Sequence, residues 1–223
     1  MDELVAVTAV RITTTSGRVR VIAENRRDVR VSGGVEVTQE GSTVTAQATS
    51  SSVEARVPIG VDVMIGTTSG RTAVEGRVGS LSVVSTSGRI TAEHAASLDA
   101  RSASGRIMVE RVDGDCRVRT SSGRVTVGQC HDCDVSTKSG RVELAALTGT
   151  ARAHCISGRI DIRMVEPHDV DAETVSGRIS VSVPSGVRVR RTTDVVPAIS
   201  PHQDYDCTIA ARSLSGRVDV ASR

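Results

Sequence analysis

Hydrophobic and polar residues alternate along this chain in a pattern that returns every ~17–19 residues. The tripeptide Ser-Gly-Arg marks the repeat nine times, with its Gly at positions 17, 70, 88, 105, 123, 140, 158, 177 and 216. A fixed period of this size is the sequence signature of a solenoid. The two long gaps, from Gly17 to Gly70 and from Gly177 to Gly216, are close to three and two steps of the period, which fits coils without the tripeptide.

Each repeat predicts two strands on either side of its Ser-Gly pair. The second and fourth residues after the Gly are apolar, as in Ile107 and Val109, and the residue between them is usually polar. The seventh and fifth residues before the Gly are also apolar, as in Leu81 and Val83. This period of two indicates strands with one face turned inward. A third, less regular apolar column contains Val78, Val112, Cys130 and Leu147.

We therefore predict an all-β fold, a single parallel β-solenoid (β-helix) of about 17–18 residues per coil with two main strands and a short third side. Gly at the corner between the main strands can adopt the positive φ that a tight turn needs. The absence of Phe and Trp indicates a thin core. One domain is expected over 1–223, with degenerate N-terminal coils or a hairpin cap at 1–56, regular coils at 57–190, and a loop with closing strands at 191–223.

Composition predicts a soluble, cytoplasmic protein. The formal net charge is only +2, so the whole molecule is not a polycation. The first residues lack the basic and apolar stretches of a signal peptide, and no run approaches the ~20 apolar residues of a membrane span. Five Cys residues without a disulfide-framework spacing favour a reducing compartment.

The residue after each Gly is the sharpest candidate for a binding site. If the coils stack in register about 4.8 Å apart, these arginines form a positive ridge that could hold nucleic acid, an acidic polysaccharide or an anionic membrane surface. The alternative is a solvated corner whose arginine stems cover the core and whose charge is neutralised by Glu75, Glu93, Glu110, Glu143 and Asp161. The predicted ridge consists of Arg71, Arg89, Arg106, Arg124, Arg141, Arg159 and Arg178, with Arg18 and Arg217 in the same column.

No catalytic site, metal site or cofactor is predicted. The segment Cys130-His131-Asp132-Cys133, with Cys116 nearby, offers ligand types that zinc accepts, but its cysteines occupy apolar columns where a thiol acts as a small hydrophobe. Cys155 stands in a Ser/Thr slot three residues before its Gly and is expected to be a structural thiol. No Ser-His-Asp spacing, phosphate loop or zinc-protease motif is present.

The repeated Ser-Gly-x-Val/Ile corners and the two Val-Pro-x-Gly-Val-x-Val segments, at 57–63 and 183–189, carry a resemblance. Over about residues 10 to 220 the chain resembles the bacterial β-strand-repeat family labelled "putative adhesin". This resemblance implies a β-helix, often membrane-anchored or exported in that family, without an established catalytic site. A weaker, purely architectural likeness is to bactofilins, cytoplasmic β-helical scaffolds that polymerise end to end.

The expected function is that of a non-enzymatic structural or interaction protein, an adhesin-like scaffold or binding surface. Its expected partners are a second copy, stacked end to end, or another protein. The alternative is a polyanion-binding module that uses the arginine column, and the third possibility is a β-helix hydrolase.

Overall fold

The computed structural model describes residues 7–192 and 205–222, in which all regular structure is β-strand. These residues contain no helix that is long and apolar enough to cross a membrane. The predicted all-β class is confirmed, and the interruption predicted at 191–207 lies mostly outside the described residues. The strands are β1 (Ala9–Glu24), β2 (Arg30–Ser32), β3 (Glu36–Glu40), β4 (Thr43–Ala48), β5 (Val53–Pro58), β6 (Asp62–Leu147), β7 (Ala151–Met164), β8 (Val170–Val183), β9 (Val189–Thr192) and β10 (Cys207–Ser222).

The chain divides into two compact units, one that ends at Asp113 and one that begins at Gly114. The N-terminal unit comprises the described residues up to Asp113, and the C-terminal unit comprises the described residues from Gly114 onward. Long strand β6 contributes residues to both units. The single domain expected from the sequence stays a prediction.

In the N-terminal unit, two repeats that are distant in sequence are direct neighbours in the sheet. Strand β1 pairs in parallel with the start of β6, so that Gly17 lies beside Gly70 and Arg18 beside Arg71. The other edge of β1 pairs in parallel with β4 and β5. The interpretation of the long gap between Gly17 and Gly70 as coils that separate these repeats is therefore wrong, because the intervening strands lie on the far side of β1.

The segment 24–56 is both a coil and a hairpin. Strands β4 and β5 stack on β1 in parallel, as a coil does. Strands β3 and β4 also pair with each other in antiparallel fashion, across a turn in which Gly41 has φ +56°. Strand β2 adds an antiparallel edge to β5. The two alternatives left open by the sequence thus occur together.

The C-terminal unit contains a long run of in-register parallel pairs. Cys133 pairs with Ala151 and Ala151 with Val170, so that each residue lies beside the same position of the next repeat. Strand β10 pairs with β8 so that Gly216 lies beside Gly177. On its other edge β10 pairs in parallel with β9. The second long gap therefore does not hold coils between Gly177 and Gly216, since β9 lies beyond β10.

The two Val-Pro-x-Gly-Val-x-Val segments occur where the chain skips a strand. At residues 57–63 it passes from β5 on one edge of β1 to β6 on the other edge. At residues 183–189 it passes from β8 on one edge of β10 to β9 on the other. Gly60 and Gly186 have nearly the same backbone angle, φ +81° and +82°. These crossing turns leave room for a strand from near each chain terminus.

The apolar columns predicted from the sequence are buried. Ile107, Val125 and Val142 are almost fully inaccessible, as is the third column represented by Val112 and Leu147. Val218 departs from its column, because in the last strand it is 37% exposed. The buried apolar side chains of the described residues are aliphatic, thiol or thioether groups and include no aromatic ring, which agrees with the expected thin core.

Candidate functional site

In each Ser-Gly-Arg corner the backbone turns at the Gly. No other residue could replace this Gly without strain. In the C-terminal unit Gly140 has φ +142°, in the left-handed region that side chains disfavour. A Cβ added to Gly140 would also overlap the backbone carbonyl of Gly123 in the preceding repeat. The N-terminal unit shows the same arrangement at Gly88, where the added Cβ would overlap the carbonyl of Gly70. The Gly column is therefore needed both for the turn and for close stacking of repeats.

In seven of the nine repeats, a hydroxyl or thiol on the inner side of the strand fixes the approach to the turn. Three residues before the Gly, the side chain donates a hydrogen bond to the carbonyl of the Ser that precedes the Gly. Thr14 donates to Ser16 at 2.9 Å, and the thiol of Cys155 donates to Ser157 at 3.1 Å. Thr67, Ser85, Ser102, Thr120 and Thr137 make the same bond. Cys155 is fully buried, and burial raises the pKa of its thiol, as a structural thiol requires.

Aspartates eight residues before the corner Gly accept hydrogen bonds from the next repeat and so connect successive repeats. Asp132 Oδ1 accepts hydrogen bonds from the backbone N–H and the hydroxyl of Thr150, at 2.8 and 2.7 Å. Asp62 accepts from the N–H of Ser80 in the same way. These hydrogen bonds lower the pKa of Asp132. Sequence reasoning missed this role, although its signal is visible as an Asp eight residues before one Gly and a Ser or Thr in the same position of the next repeat.

The arginines of the column lie side by side within each unit. In the C-terminal unit Arg141 pairs with Arg159, Arg159 with Arg178, and Arg178 with Arg217. In the N-terminal unit Arg18 pairs with Arg71. Arg141 and Arg159 are half-buried, and the other seven arginines of the column are exposed. The register required for the predicted ridge is thus present, and binding by the ridge stays a prediction.

The arginine column is not paired with acids, unlike many other arginines of the chain. Among the described residues, no carboxylate lies within 4.0 Å of a guanidinium group of the column. Glu75 and Glu93 were expected to neutralise the column, but they have other partners. Glu75 accepts two hydrogen bonds of 2.8 Å from Arg20, and Glu93 accepts one from the N–H of Gly76.

Asp161 is the acid whose environment is most closely tied to the column. Burial raises the pKa of this carboxyl, and the nearby charges of Arg159, Arg141 and Arg178 lower it without reversing the shift. Asp161 is therefore a carboxyl whose charged form is disfavoured by burial and favoured by the adjacent row of cations. Its neighbour Glu143, one repeat earlier in the same slot, adds to the same local negative charge.

The Cys130-His131-Asp132-Cys133 segment separates into an inner and an outer pair. Cys130 and Cys133 are buried with Cys116, and hydrogen bonds that the Cys133 thiol donates to Cys116 and Cys130, together with burial, raise the pKa of Cys133. His131 is exposed and its ring lies edge-on to that of His168, with 6.3 Å between centroids. Among the residues that the structure describes, no group of three or more His, Cys, Asp or Glu could hold a metal ion.

A groove of about 620 Å³ on the C-terminal unit is lined by five aspartates and two arginines. Two of its aspartates, Asp132 and Asp169, already accept backbone hydrogen bonds from Thr150 and Thr208. Hydrogen bonds between repeats therefore explain why these two aspartates lie in the groove. Its ionisable lining residues are Asp115, Arg117, Asp132, Asp134, Arg152, Asp169 and Asp171.

Charge alternates from one repeat to the next among four residues that line this groove, Arg117, Asp134, Arg152 and Asp171. Only some neighbouring side chains of this set approach as ion pairs. Asp134 pairs in register with Arg152, and Arg152 with Asp171. Arg117 and Asp134 approach to 3.7 Å. Surface pairs of this kind contribute ~0–1 kcal/mol each, so they adjust the register and do not hold the fold.

Comparisons with known proteins identify a family and no characterised relative. Across 98% of this chain and 94% of the other, the fold is similar to that of a "putative adhesin" from Bacteroides fragilis, with 11% identity and a TM-score of 0.47. A "putative cell adhesion protein" from Clostridium sporogenes aligns over 98% of this chain and 94% of its own, with 8% identity and a TM-score of 0.23. No curated protein matches. The family model Toastrack DUF4097 matches residues 62–193, more than half of the sequence. The chain therefore belongs to the Toastrack DUF4097 family.

Proposed function

We propose that the chain is a non-enzymatic interaction protein that makes its contacts through repeated outward rows of side chains. The observation that carries the proposal is the register, in which equivalent residues of successive repeats, such as Arg141, Arg159 and Arg178, lie side by side. A row of identical groups suits an extended partner or a second copy better than a compact substrate. The resemblance of the repeats to an adhesin-labelled family supports the same role.

The proposal also includes the architecture of the individual coils. Each coil has about 17–18 residues, two main strands that meet at the Ser-Gly corner, and a short third side. The parallel pairing of each repeat with the same positions of the next supports this period. Burial of Val78, Val112, Cys130 and Leu147 supports an apolar third side. Coils of this kind offer the same surface repeatedly along the stacking direction.

Sedimentation velocity of the purified full chain over a wide concentration range tests whether the protein acts as a scaffold. Species that grow with concentration in the absence of any ligand are expected for end-to-end assembly. Electron microscopy of the same samples, with and without an anionic polymer, distinguishes filaments of the protein from polymer decorated by it. A monomer at every concentration would contradict the scaffold role.

Polyanion binding by the arginine column is a second candidate function. It is favoured by the guanidinium groups of the column, which have no acidic partner among residues 7–192 and 205–222, since a cation without an acidic partner is available to a ligand. In the N-terminal unit the exposed hydroxyls of Thr15, Thr68 and Thr86 stand three residues before Arg18, Arg71 and Arg89. Hydroxyl and guanidinium groups together bind phosphate, sulfate or carboxylate oxygens.

The test compares two triple variants of the N-terminal unit that remove the same charge. R71Q/R89Q/R106Q removes arginines of the column, whereas R77Q/R101Q/R111Q removes arginines paired with Asp113 and Asp99. Affinity for a sulfated polysaccharide and for single-stranded DNA is measured at several salt concentrations. The column variant should lower affinity by on the order of tenfold or more and reduce the salt slope by about 3. Equal effects of both triples would reject the column as the site.

A further inference from the structure

The C-terminal unit carries a row of exposed aliphatic side chains next to its arginine column. Two residues before the corner Gly, Ile156, Val175 and Leu214 are 45%, 40% and 85% exposed. The pairs that flank them, Ser157 with Ser176 and Ser176 with Ser215, set the three on adjacent strands. They form a continuous row, which we name the aliphatic row.

Single exposed aliphatic residues are ordinary on a protein surface, but three in register are not required by the fold. The same slot in the N-terminal unit holds Thr15, Thr68, Thr86 and Ala103, and the corner glycines from Gly70 onward stack on the Gly of the neighbouring repeat in both units. The corner therefore forms equally well with small or hydroxyl side chains in this slot. Contiguous exposed apolar groups bordered by polar residues mark interaction sites.

Basic side chains lie at one end of the aliphatic row and along the side of it that faces the corner. Lys138 occupies the same slot one repeat earlier and is exposed. Arg159, Arg178 and Arg217 follow the three aliphatic residues by three positions, and in the described part of the chain none has an ion pair. The acids Asp161 and Asp219 come two positions after their arginines, so the cations stand between them and the aliphatic row.

We propose that the aliphatic row and its flanking cations dock the C-terminal unit on an anionic lipid bilayer. Aliphatic side chains on a basic surface enter the boundary between headgroups and acyl chains, while Lys and Arg remain at the lipid phosphates. This site goes beyond the proposed function, because it needs the aliphatic row and does not need polyanion binding in solution.

The shape of the row favours a bilayer over a folded protein partner. A stable protein interface buries about 800 Å² on each partner, whereas this row is one side chain wide and three strands long, about 10 Å at the parallel-strand spacing. A bilayer admits a narrow row at any position and supplies phosphate groups on both sides of it. The charge is complementary on the side of the row that faces the corner, where the charged groups are the arginines of the column. On the other side, the acid Glu173 lies 3.4 Å from the imidazole of His154.

Vesicle co-sedimentation of the full chain tests the proposal. The vesicles are either neutral phosphatidylcholine or a mixture with roughly one-third phosphatidylglycerol. The variant I156S/V175S/L214S removes the aliphatic row. The matched control V37S/I59S/V84S removes three residues of the N-terminal unit that are similarly exposed. R159Q/R178Q/R217Q removes the cations beside the row.

The wild type is expected to bind anionic vesicles and to bind neutral ones much more weakly. The aliphatic-row variant should lose on the order of tenfold or more in affinity, the arginine variant on the order of a hundredfold, and the control should bind as the wild type. Equal binding to neutral and anionic vesicles would overturn the proposal, as would unchanged binding by the aliphatic-row variant. Self-association without vesicles that this variant abolishes would assign the row to a second copy and also overturn it.

A fluorescence measurement keeps the test valid if a triple variant does not fold. The chain has no Trp, so Val175→Trp introduces a single reporter in the row, and Val84→Trp introduces one at an exposed aliphatic position elsewhere. A blue shift on addition of anionic vesicles is expected for Val175→Trp only. No shift, or the same shift at both positions, would contradict insertion of the row.

Discussion

The Ser-Gly-Arg corner has the same backbone in the two units but different outward neighbours. In both units the Gly is left-handed or stacked on a Gly, and the interior hydroxyl bonds to the following Ser. In the N-terminal unit, Thr or Ala precedes the turn, and the position two after Arg71, Arg89 and Arg106 holds Ala, Thr or Met. In the C-terminal unit, the residue two before the Gly is Lys or aliphatic in every repeat except that of Ser121, and the position two after the arginine is an acid in three of the five repeats, as in Glu143 and Asp161.

This difference shows that the repeat fixes the fold through its inward and corner positions and leaves its outward positions free to vary. The N-terminal corner is a row of cations with hydroxyl neighbours. The C-terminal corner is a row of cations with aliphatic groups on one side and acids on the other. One architecture thus supports two surfaces of different chemistry, and the following experiments test that separation.

The largest effect is expected from the Gly column, and it should be equal in the two units. Gly88→Ala and Gly140→Ala each force a side chain into a positive φ and into the carbonyl of the neighbouring repeat, which should cost about 3–5 kcal/mol of unfolding free energy. Urea denaturation measures the loss. Gly186→Ala is the control, because Gly186 has φ +82° with no atom within 4 Å of the added Cβ, and only about 1 kcal/mol is expected. A small loss at Gly88 alone would show that the two corners differ in their backbone.

The interior hydroxyls should separate two repeats by a smaller amount, because the repeat of Thr174 lacks, among the described residues, the bond that Thr137 makes in the same unit. Thr14 in the N-terminal unit donates to Ser16, whereas the buried hydroxyl of Thr174 in the C-terminal unit has no partner among the described residues. Thr14→Val should therefore destabilise by about 1–2 kcal/mol, and Thr174→Val should be neutral or stabilise by up to about 1 kcal/mol. Thermal unfolding of both variants checks the sign. Equal destabilisation by the two would mean that the hydroxyl of Thr174 is satisfied in solution.

Removal of the acids should make the C-terminal corner behave more like the N-terminal one. In the double variant E143Q/D161N the arginines lose their nearest negative neighbours, so affinity for a sulfated polysaccharide at low salt should rise several-fold. Further substitution by R141Q/R159Q/R178Q should remove that gain. Isothermal titration at two salt concentrations measures both steps. If the double variant binds as the wild type does, the acids do not control the column.

The smallest effects should come from two aspartates whose pKa values shift in opposite directions. Hydrogen bonds from Arg111 and then from His94 lower the pKa of Asp113 to about 2, from the ordinary value of 3.8. Asp113 therefore stabilises the N-terminal unit above pH 3.8, and this contribution disappears as the pH falls toward 2. Asp113→Asn should destabilise at neutral pH, and the difference from the wild type should vanish in that acidic range.

The pH dependence of stability that Asp161 contributes has the opposite sign. Because burial raises its pKa, ionisation of Asp161 costs stability above its folded pKa, and that cost disappears as the pH falls to the unfolded value of 3.8. Asp161→Asn should therefore stabilise by roughly a few tenths of a kcal/mol at neutral pH, a figure reduced because the group is largely solvated. Urea denaturation across the acidic to neutral range follows both aspartate variants. A stabilising Asp113→Asn or a destabilising Asp161→Asn would reverse the assigned environments.

The sequence predicted the parts of the molecule that recur, since recurrence is itself the signal. The all-β class, the buried aliphatic columns and the register of Gly140 with Gly158 could all be predicted from the period. The order of the strands could not, because the gap between Gly17 and Gly70 fits intervening coils as well as a strand that returns to pair with β6. Hydrogen bonds between repeats, such as that from the N–H of Thr150 to Asp132, were not predicted. The donor and the acceptor lie in different repeats, and each residue type was interpreted alone.

The crossing turns at residues 57–63 and 183–189 determine when the sheet can be completed. Strand β1 is synthesised first, yet its second edge finds a partner only after the ribosome has added the start of β6. Strand β10 comes last and pairs on both edges, with β8 and with β9. A truncation of β1 or β10 would therefore remove an interior layer of the sheet, and a peptide supplied in trans would have to enter between two neighbours instead of adding to an open edge.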